Sequence, residues 1–189
     1  SKTDVVHDAT NTSTITATDD TASASVGVGG TAGIGASIGA SLAQNLIGYQ
    51  ENGTRTPAEV QAYITNSSVN AGNALTQTAT SNQTIKATVL AGSVAIGAGT
   101  VGIGASGAGV DVNNKIATDV KAFISNTSEA GVNVAGDITL KAEDNSDIDA
   151  TAGAASIAGS AGLVGGSISI GIALAENTIT NDVGAYTEN

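Results

Sequence analysis

The chain has 189 residues, no cysteine, methionine or tryptophan, and a formal net charge of −11 from 6 basic and 17 acidic residues. A disulfide framework is excluded, and nucleic acid is not an expected partner, because phosphate binding needs clustered Lys and Arg. With aromatics at 2% and 25 glycines, the interior has to be built from Ala, Val, Ile and Leu rather than from rings.

The first segment, SKTDVVHDAT, is polar and lacks the pattern of a signal peptide,. VVHDATNTSTITAT (5–18) returns as LTQTATSNQTIKAT (75–88) and as ITLKAEDNSDIDAT (138–151). Val5, Leu75 and Ile138 share a position, as do Ile15, Ile85 and Ile148. The unit ends match as well: VQAYITN (60–66), DVKAFISN (119–126) and DVGAYTEN (182–189). The chain therefore divides into a first repeat unit, 1–74, with an insertion GYQENGTRTP at 48–57, a second unit, 75–137, and a third, 138–189, which reads as truncated. Repeats of this length mean stacked units that bury apolar faces against one another. The array reads as a slice of a longer protein.

Within unit one, GIGASIGASLA (33–43) fits two periods. Ile34, Ile38 and Leu42 lie four apart and Gly35 and Gly39 form a GxxxG, as in a membrane helix pair. The same residues alternate strictly, as in a strand. Unit three decides: Ile168, Ile170, Ile172 and Leu174 recur every second residue, which only a strand gathers on one face. SLAQN (41–45) aligns with ALAEN (173–177), so unit one inherits the strand. In unit two, Val94, Ile96 and Ala98 share one face and Val101, Ile103 and Ala105 the next, with a turn or bulge at Gly99–Thr100. The branched aliphatic side chains are expected to face a shared narrow interior. The glycines opposite them imply a second backbone layer close by. Thr56-Pro57-Ala58-Glu59 has the form of a capping box with proline at the first helical position, so a short helix is expected there.

Further along, EDNS (143–146) reads as a polar turn, with Ile138, Leu140 and Ala142 inward before it and Ile148 and Ala150 inward after it. Val120, Ala122 and Ile124 are expected inward too. The expected fold is all-β: a repeat β-solenoid, a parallel β-helix with two or three coils per unit. Stacked antiparallel hairpin layers are the alternative.

The glycine/alanine-rich block ending in VDVNN (110–114) or ALAEN (173–177), followed by VKAFISN (120–126) or VQAYITN (60–66) and by VNVAGDITLKA (132–142), resembles the filamentous-haemagglutinin-type exoproteins of two-partner secretion. The leukotoxin-type filamentous adhesin repeats are the most similar group. The likeness spans nearly the whole chain outside 48–57. It implies a rod-like β-helix, secreted or on the bacterial cell surface, serving adhesion or biofilm.

No residue is assigned a catalytic, cofactor-binding or metal-binding role. His7, the single histidine, sits between Asp4 and Asp8, too few ligands for an ordinary zinc site,. Asp144, Asn145, Asp147 and Asp149 crowd one turn and Asp19 and Asp20 another; both read as solvated acidic turns, with calcium as the alternative. The sequons at Asn11, Asn52, Asn66, Asn82 and Asn126 compare with about three that a chain so rich in Ser and Thr supplies by chance, not an excess that calls for a function. Tyr63, Phe123 and Tyr186 share a repeat position and are expected to stack along the array; a carbohydrate-stacking ladder is the functional alternative. No nucleophile and base pair stands out, and an enzyme is not expected.

The expected function is a structural shaft segment of a surface adhesin or extracellular filament, with itself as partner through flat Gly/Ala/Ser faces and a host or bacterial cell-surface glycan or protein as a further partner. The alternatives are a membrane-active glycine-rich segment of a large exotoxin, carried by the uncharged runs 21–50, 87–110 and 150–175, and a flat-face binder of ice or another ordered polymer, carried by Thr18, Thr88 and Thr151.

Overall fold

The computed structural model describes residues 3–125 and 131–188, all in strands and connecting turns, with no helix among them. Unit one supplies β1 (Val5–Asn11), β2 (Thr14–Val28), β3 (Ala32–Ile47), β4 (Ala58–Thr65) and β5 (Val69–Ala71). Unit two supplies β6 (Leu75–Ser81), β7 (Thr84–Ala98), β8 (Val101–Ser125) and β9 (Val132–Val134). Unit three supplies β10 (Ile138–Asp144), β11 (Asp147–Ala161) and β12 (Val164–Glu188).

Every sheet is parallel, and each pairs equivalent strands of different units. The first sheet runs β1-β6-β10, the second β2-β7-β11 and the third β3-β8-β12, with β4 also on β8 and β5 on β9 in a fourth. Val5, Leu75 and Ile138 are register partners, as are Ile15, Ile85 and Ile148. The sequence repeat is thus a hydrogen-bonding register. Each unit contributes one layer to these sheets, where the repeat length suggested two or three. The strands are simply long: β8 and β12 have 25 residues each.

Successive strands within a unit pack face to face. β2 turns into β3, β7 into β8 and β11 into β12, and the second sheet lies against the start of the third. The glycine-rich strands of one unit lie face to face as a two-layer blade and do not pair as the antiparallel hairpins of the alternative, because their hydrogen bonds go in parallel to neighbouring units.

The expected helix after Thr56-Pro57 is absent. Ala58–Thr65 is strand β4, in register with Thr118–Ser125. Pairing with a full neighbouring strand satisfies more backbone groups than one capped turn, and Pro57 precedes the strand, where its missing N–H costs nothing. The insertion closes as a small loop, with Gly53 at φ 83 and a bridge between Tyr49 and Arg55. From it the Arg55 guanidinium donates to the Thr180 carbonyl of unit three at 3.1 Å.

The interior grades in side-chain size. Away from the blade tip, clusters of Ile64, Leu75 and Ile124, and of Val60, Ala79, Val120 and Ala122, fill it. Val120 and Ala122 are fully buried, as the alternation required. Each Val, Leu or Ile among them stabilises by about 1.5–3 kcal/mol when wholly buried. Nearer the tip, Ala87, Val89, Ala108 and Val110 take over. At the tip the two layers nearly touch: a Cβ on Gly97 would lie 2.0 Å from the Ile103 carbonyl oxygen.

This grading reverses one expectation. Beyond Val110 toward the tip the aliphatic face points outward, and the glycine and serine face points in. Ile34, Ile38 and Leu42 are 65%, 81% and 76% exposed, while Ser37 and Ser41 are buried. Close backbone approach leaves room for H and CH2OH, not for branched chains.

Candidate functional site

Three ladders run through the stack. The first is a chain of serine hydroxyls between the second and third sheets. Ser23 and Ser37 are hydrogen-bonded at 2.7 Å, Ser93 pairs with Ser106, and Ser156 pairs with Ser169 at 2.9 Å. Ser93 also donates to the Ser37 carbonyl, and the Ser106 and Ser156 hydroxyls are 2.7 Å apart, linking the three units. A hydroxyl both donates and accepts, so a file of them satisfies itself in a narrow interior.

The second ladder is asparagine. Asn45 Nδ2 donates to Asn114 Oδ1, and Asn114 Nδ2 to Asn177 Oδ1, each at 2.8 Å. These are the residues that close SLAQN, VDVNN and ALAEN. The third ladder is aromatic. Tyr63 and Phe123 stack with centroids 5.2 Å apart and planes 10° from parallel, and Phe123 and Tyr186 stack at 5.2 Å and 5°. The ring faces are turned to one another along the stack, whereas sugar stacking needs them turned outward. Beside them, Lys121 Nζ donates to Asp119 Oδ2 at 2.7 Å, and this bond holds the ammonium above its usual pKa.

The acidic turn is an internal clasp. Asp144 accepts hydrogen bonds from Thr118 Oγ1, from the Ser146 N–H and from Asn181 Nδ2 at 2.6–2.9 Å. Burial pushes its carboxyl up, but hydrogen bonds led by Thr118 and Ser146 outweigh that and hold its pKa below the usual carboxylate value. Asn145 Nδ2 donates to Asn82 Oδ1 at 3.0 Å. Asp147 and Asp149 lie on β11 and are exposed. Asp19 accepts from Ser41.

Asp4 accepts from Asn73 Nδ2 and the Ala74 N–H. His7 and Asp8 are neighbours on β1 and so face opposite sides of the sheet, with His7 in register with Gln77,. Among the described residues, no group of three His, Cys, Asp or Glu could hold a metal. Thr18, Thr88 and Thr151 form one exposed rank, but the adjacent rank is Thr16, Lys86 and Asp149, so no flat threonine face results. Asn66 sits at φ 47 after β4; Asn126 lies outside the described residues. No helix among the described residues is long and apolar enough to cross a membrane.

The feature the sequence reading missed is an apolar relief on the outside. On the third sheet, Ile38, Gly107 and Ile170 share one register position, and Ala40, Gly109 and Ile172 another. Unit two therefore forms a shallow trough floored by Gly107 and Gly109: Gly107 lies between Ile38 and Ile170, Gly109 between Ala40 and Ile172, and farther along Asp111 lies between Leu42 and Leu174. Two shallow hollows of about 290 and 310 Å³ lie along it. A Cβ on either floor glycine would meet nothing within 4 Å, so these glycines are not required by the fold. On the back of the same blade the relief is mixed: Leu90 lies between Asp20 and Gly153, Val94 between Ala24 and Ile157, and Ile96 between Val26 and Gly159. The signal was present as Ile, Gly, Ile at equal repeat positions.

No protein-family model, curated protein or solved structure matches this chain.

Proposed function

We propose that the chain is a β-solenoid shaft segment of a secreted or surface-attached bacterial adhesin or extracellular filament. The observation that carries this reading is the residue-for-residue parallel register of three units, extended through the interior by the serine, asparagine and aromatic ladders. Such a stack grows by adding equal layers, each satisfying the backbone edge of the last, and so suits length and stiffness. Its hydrogen-bonding side chains are spent holding layers together.

Antibody against the chain, applied to intact producing cells, tests the reading. Surface labelling, with extracted antigen appearing as rods in negative stain, is the expected result. Antigen confined to the cytoplasm, or compact particles, would refute it.

A second reading, a membrane-active segment, draws on the exposed aliphatic faces. It requires leakage of dye-loaded liposomes at physiological salt; intact liposomes would remove it.

A further inference from the structure

We propose that the two ends of the stack join: unit three of one copy pairs with unit one of a second copy of this chain, strand for strand, in the register that already joins the units inside each copy. The pairing rests on the shaft reading for its role, as end-to-end lengthening of shafts, and on the fold alone for its existence.

Both ends are open sheet edges. Among the described residues, β1–β4 of unit one and β10–β12 of unit three each pair on one side only. An edge strand presents a row of unpaired N–H and C=O groups, and proteins that must not extend blunt it with charge or proline. Neither is present here: the stretches 21–47 and 150–175, which would face each other, contain no charged residue and no proline. The end layer also uncovers side chains that the middle layer hides. Leu75, Ile116 and Val120 of unit two are fully buried, whereas Ile138, Ile179 and Val183, their register partners in unit three, are 46–48% exposed. One further layer restores the burial they lack.

The ends are also complementary. The asparagine ladder has a direction: each Nδ2 donates toward unit three, which leaves Asn177 Nδ2 at one end and Asn45 Oδ1 at the other. Unit three on unit one of the next copy joins that donor to that acceptor. It sets Tyr186 on Tyr63, continuing a stack of rings 5.2 Å apart, and Lys141 opposite Asp8. Asp182 opposite Glu59 is the like-charged pair of this register. The same column is already tolerated within the chain, where Asp119 lies between Glu59 and Asp182, and Lys121 Nζ is 2.7 Å from Asp119 and 3.9 Å from Asp182. The insertion leaves the end clear. Arg55 reaches the Thr180 carbonyl of its own unit three, so the 48–57 loop leans across unit two, away from the open edge of unit one.

Unit three meets unit one and not its own kind, so the contact is heterologous and repeats into a filament. Each copy adds three layers, about 14 Å of length. Ser37, Ser41 and Ser93 are buried inside the blade, so self-contact moves from the expected flat Gly/Ala/Ser faces to the sheet edges.

Two proline variants close one end each. Backbone N–H groups alternate sides along a paired strand. Val164 N–H bonds the Thr100 carbonyl, so the even-numbered N–H groups of β12 face unit two and that of Ala173 faces away. Val101 N–H bonds the Thr31 carbonyl, so the odd-numbered groups of β3 face unit two and that of Ala40 faces away. Ala173→Pro therefore blocks the unit-three end and Ala40→Pro the unit-one end, and neither removes a hydrogen bond within the chain. Sedimentation equilibrium up to about 1 mM, a range that detects even weak contacts, reads the outcome, with negative stain for length. The wild-type chain is expected to associate open-endedly into filaments. Each variant alone is expected to lose association at least about 100-fold, with a melting temperature close to wild type. A 1:1 mixture is expected to form a heterodimer and stop there, unit three of Ala40→Pro on unit one of Ala173→Pro. That mixture also shows that both variants are folded. Should Ala173→Pro lower the melting temperature, Ile179→Lys, which puts a charge on the same half-exposed end face, must weaken association in the same direction. A wild-type chain that stays monomeric, association that survives either proline variant, as sideways packing of the outer aliphatic faces would, or a mixture that stays monomeric overturns the pairing. A monomeric chain would leave the shaft reading standing; cytoplasmic antigen would remove the shaft and leave the pairing.

Discussion

At the residue scale, one buried and one half-buried polar group make opposite demands. Gln77 is fully buried between His7 and Leu140 of the adjoining layers, and neither amide atom has a hydrogen-bond partner among the described residues. Gln77→Leu is expected to raise stability by about 1–3 kcal/mol, the usual cost of an unmade buried hydrogen bond, as read by denaturant unfolding. A destabilised variant would mean the amide is satisfied. Asp144 is the contrary case, a carboxylate held by its donors. Its folded pKa lies below its unfolded value. The stability it contributes is therefore complete above the unfolded pKa of about 3.9 and is lost as pH falls through the folded one. Asp144→Asn should flatten the melting temperature against pH in that acid window and leave other regions of the profile unchanged. An unchanged acid slope would assign the window to other groups.

At the scale of the element, the glycine-rich strands carry two kinds of glycine. Gly97 faces the opposing backbone, and Gly97→Ala is expected to cost about 1–3 kcal/mol or more through overpacking,. Gly107 faces open space, and Gly107→Ala is expected to gain about 0.5–1 kcal/mol, because alanine surrenders less backbone entropy,. Paired unfolding curves check the contrast; equal effects would contradict the inward and outward assignment. Strand existence was legible here because Ile168, Ile170, Ile172 and Leu174 admit no helix. The side they face was not. Alternation identifies two faces, and near Val120 and Ala122 the larger residues are inside; near Ile38 spacing between layers, which no single strand encodes, turns them out. Thr56–Glu59 misled for the same reason. The capping pattern is local to four residues, but the partner strand Thr118–Ser125 that overrides it lies some 60 residues away.

At the scale of the whole molecule, the three-fold repeat fixed the register and hence the sheets. It overestimated the layers per unit because strands of 25 residues are far longer than the usual 5–6,. The aromatic stack was legible from Tyr63, Phe123 and Tyr186 alone. The trough was legible only across units, where Gly107 in one layer falls between Ile38 and Ile170 in its neighbours. Since the chain has no cysteine, a thiol placed at a single site reports on that site alone. The most direct measurement is the alkylation rate of Ile38→Cys against Ser37→Cys. With glycine and serine inside and aliphatics outside, the thiol at 38 should react at least about 100-fold faster, since modification of a buried thiol waits on local opening. Faster reaction at 37 would contradict the account.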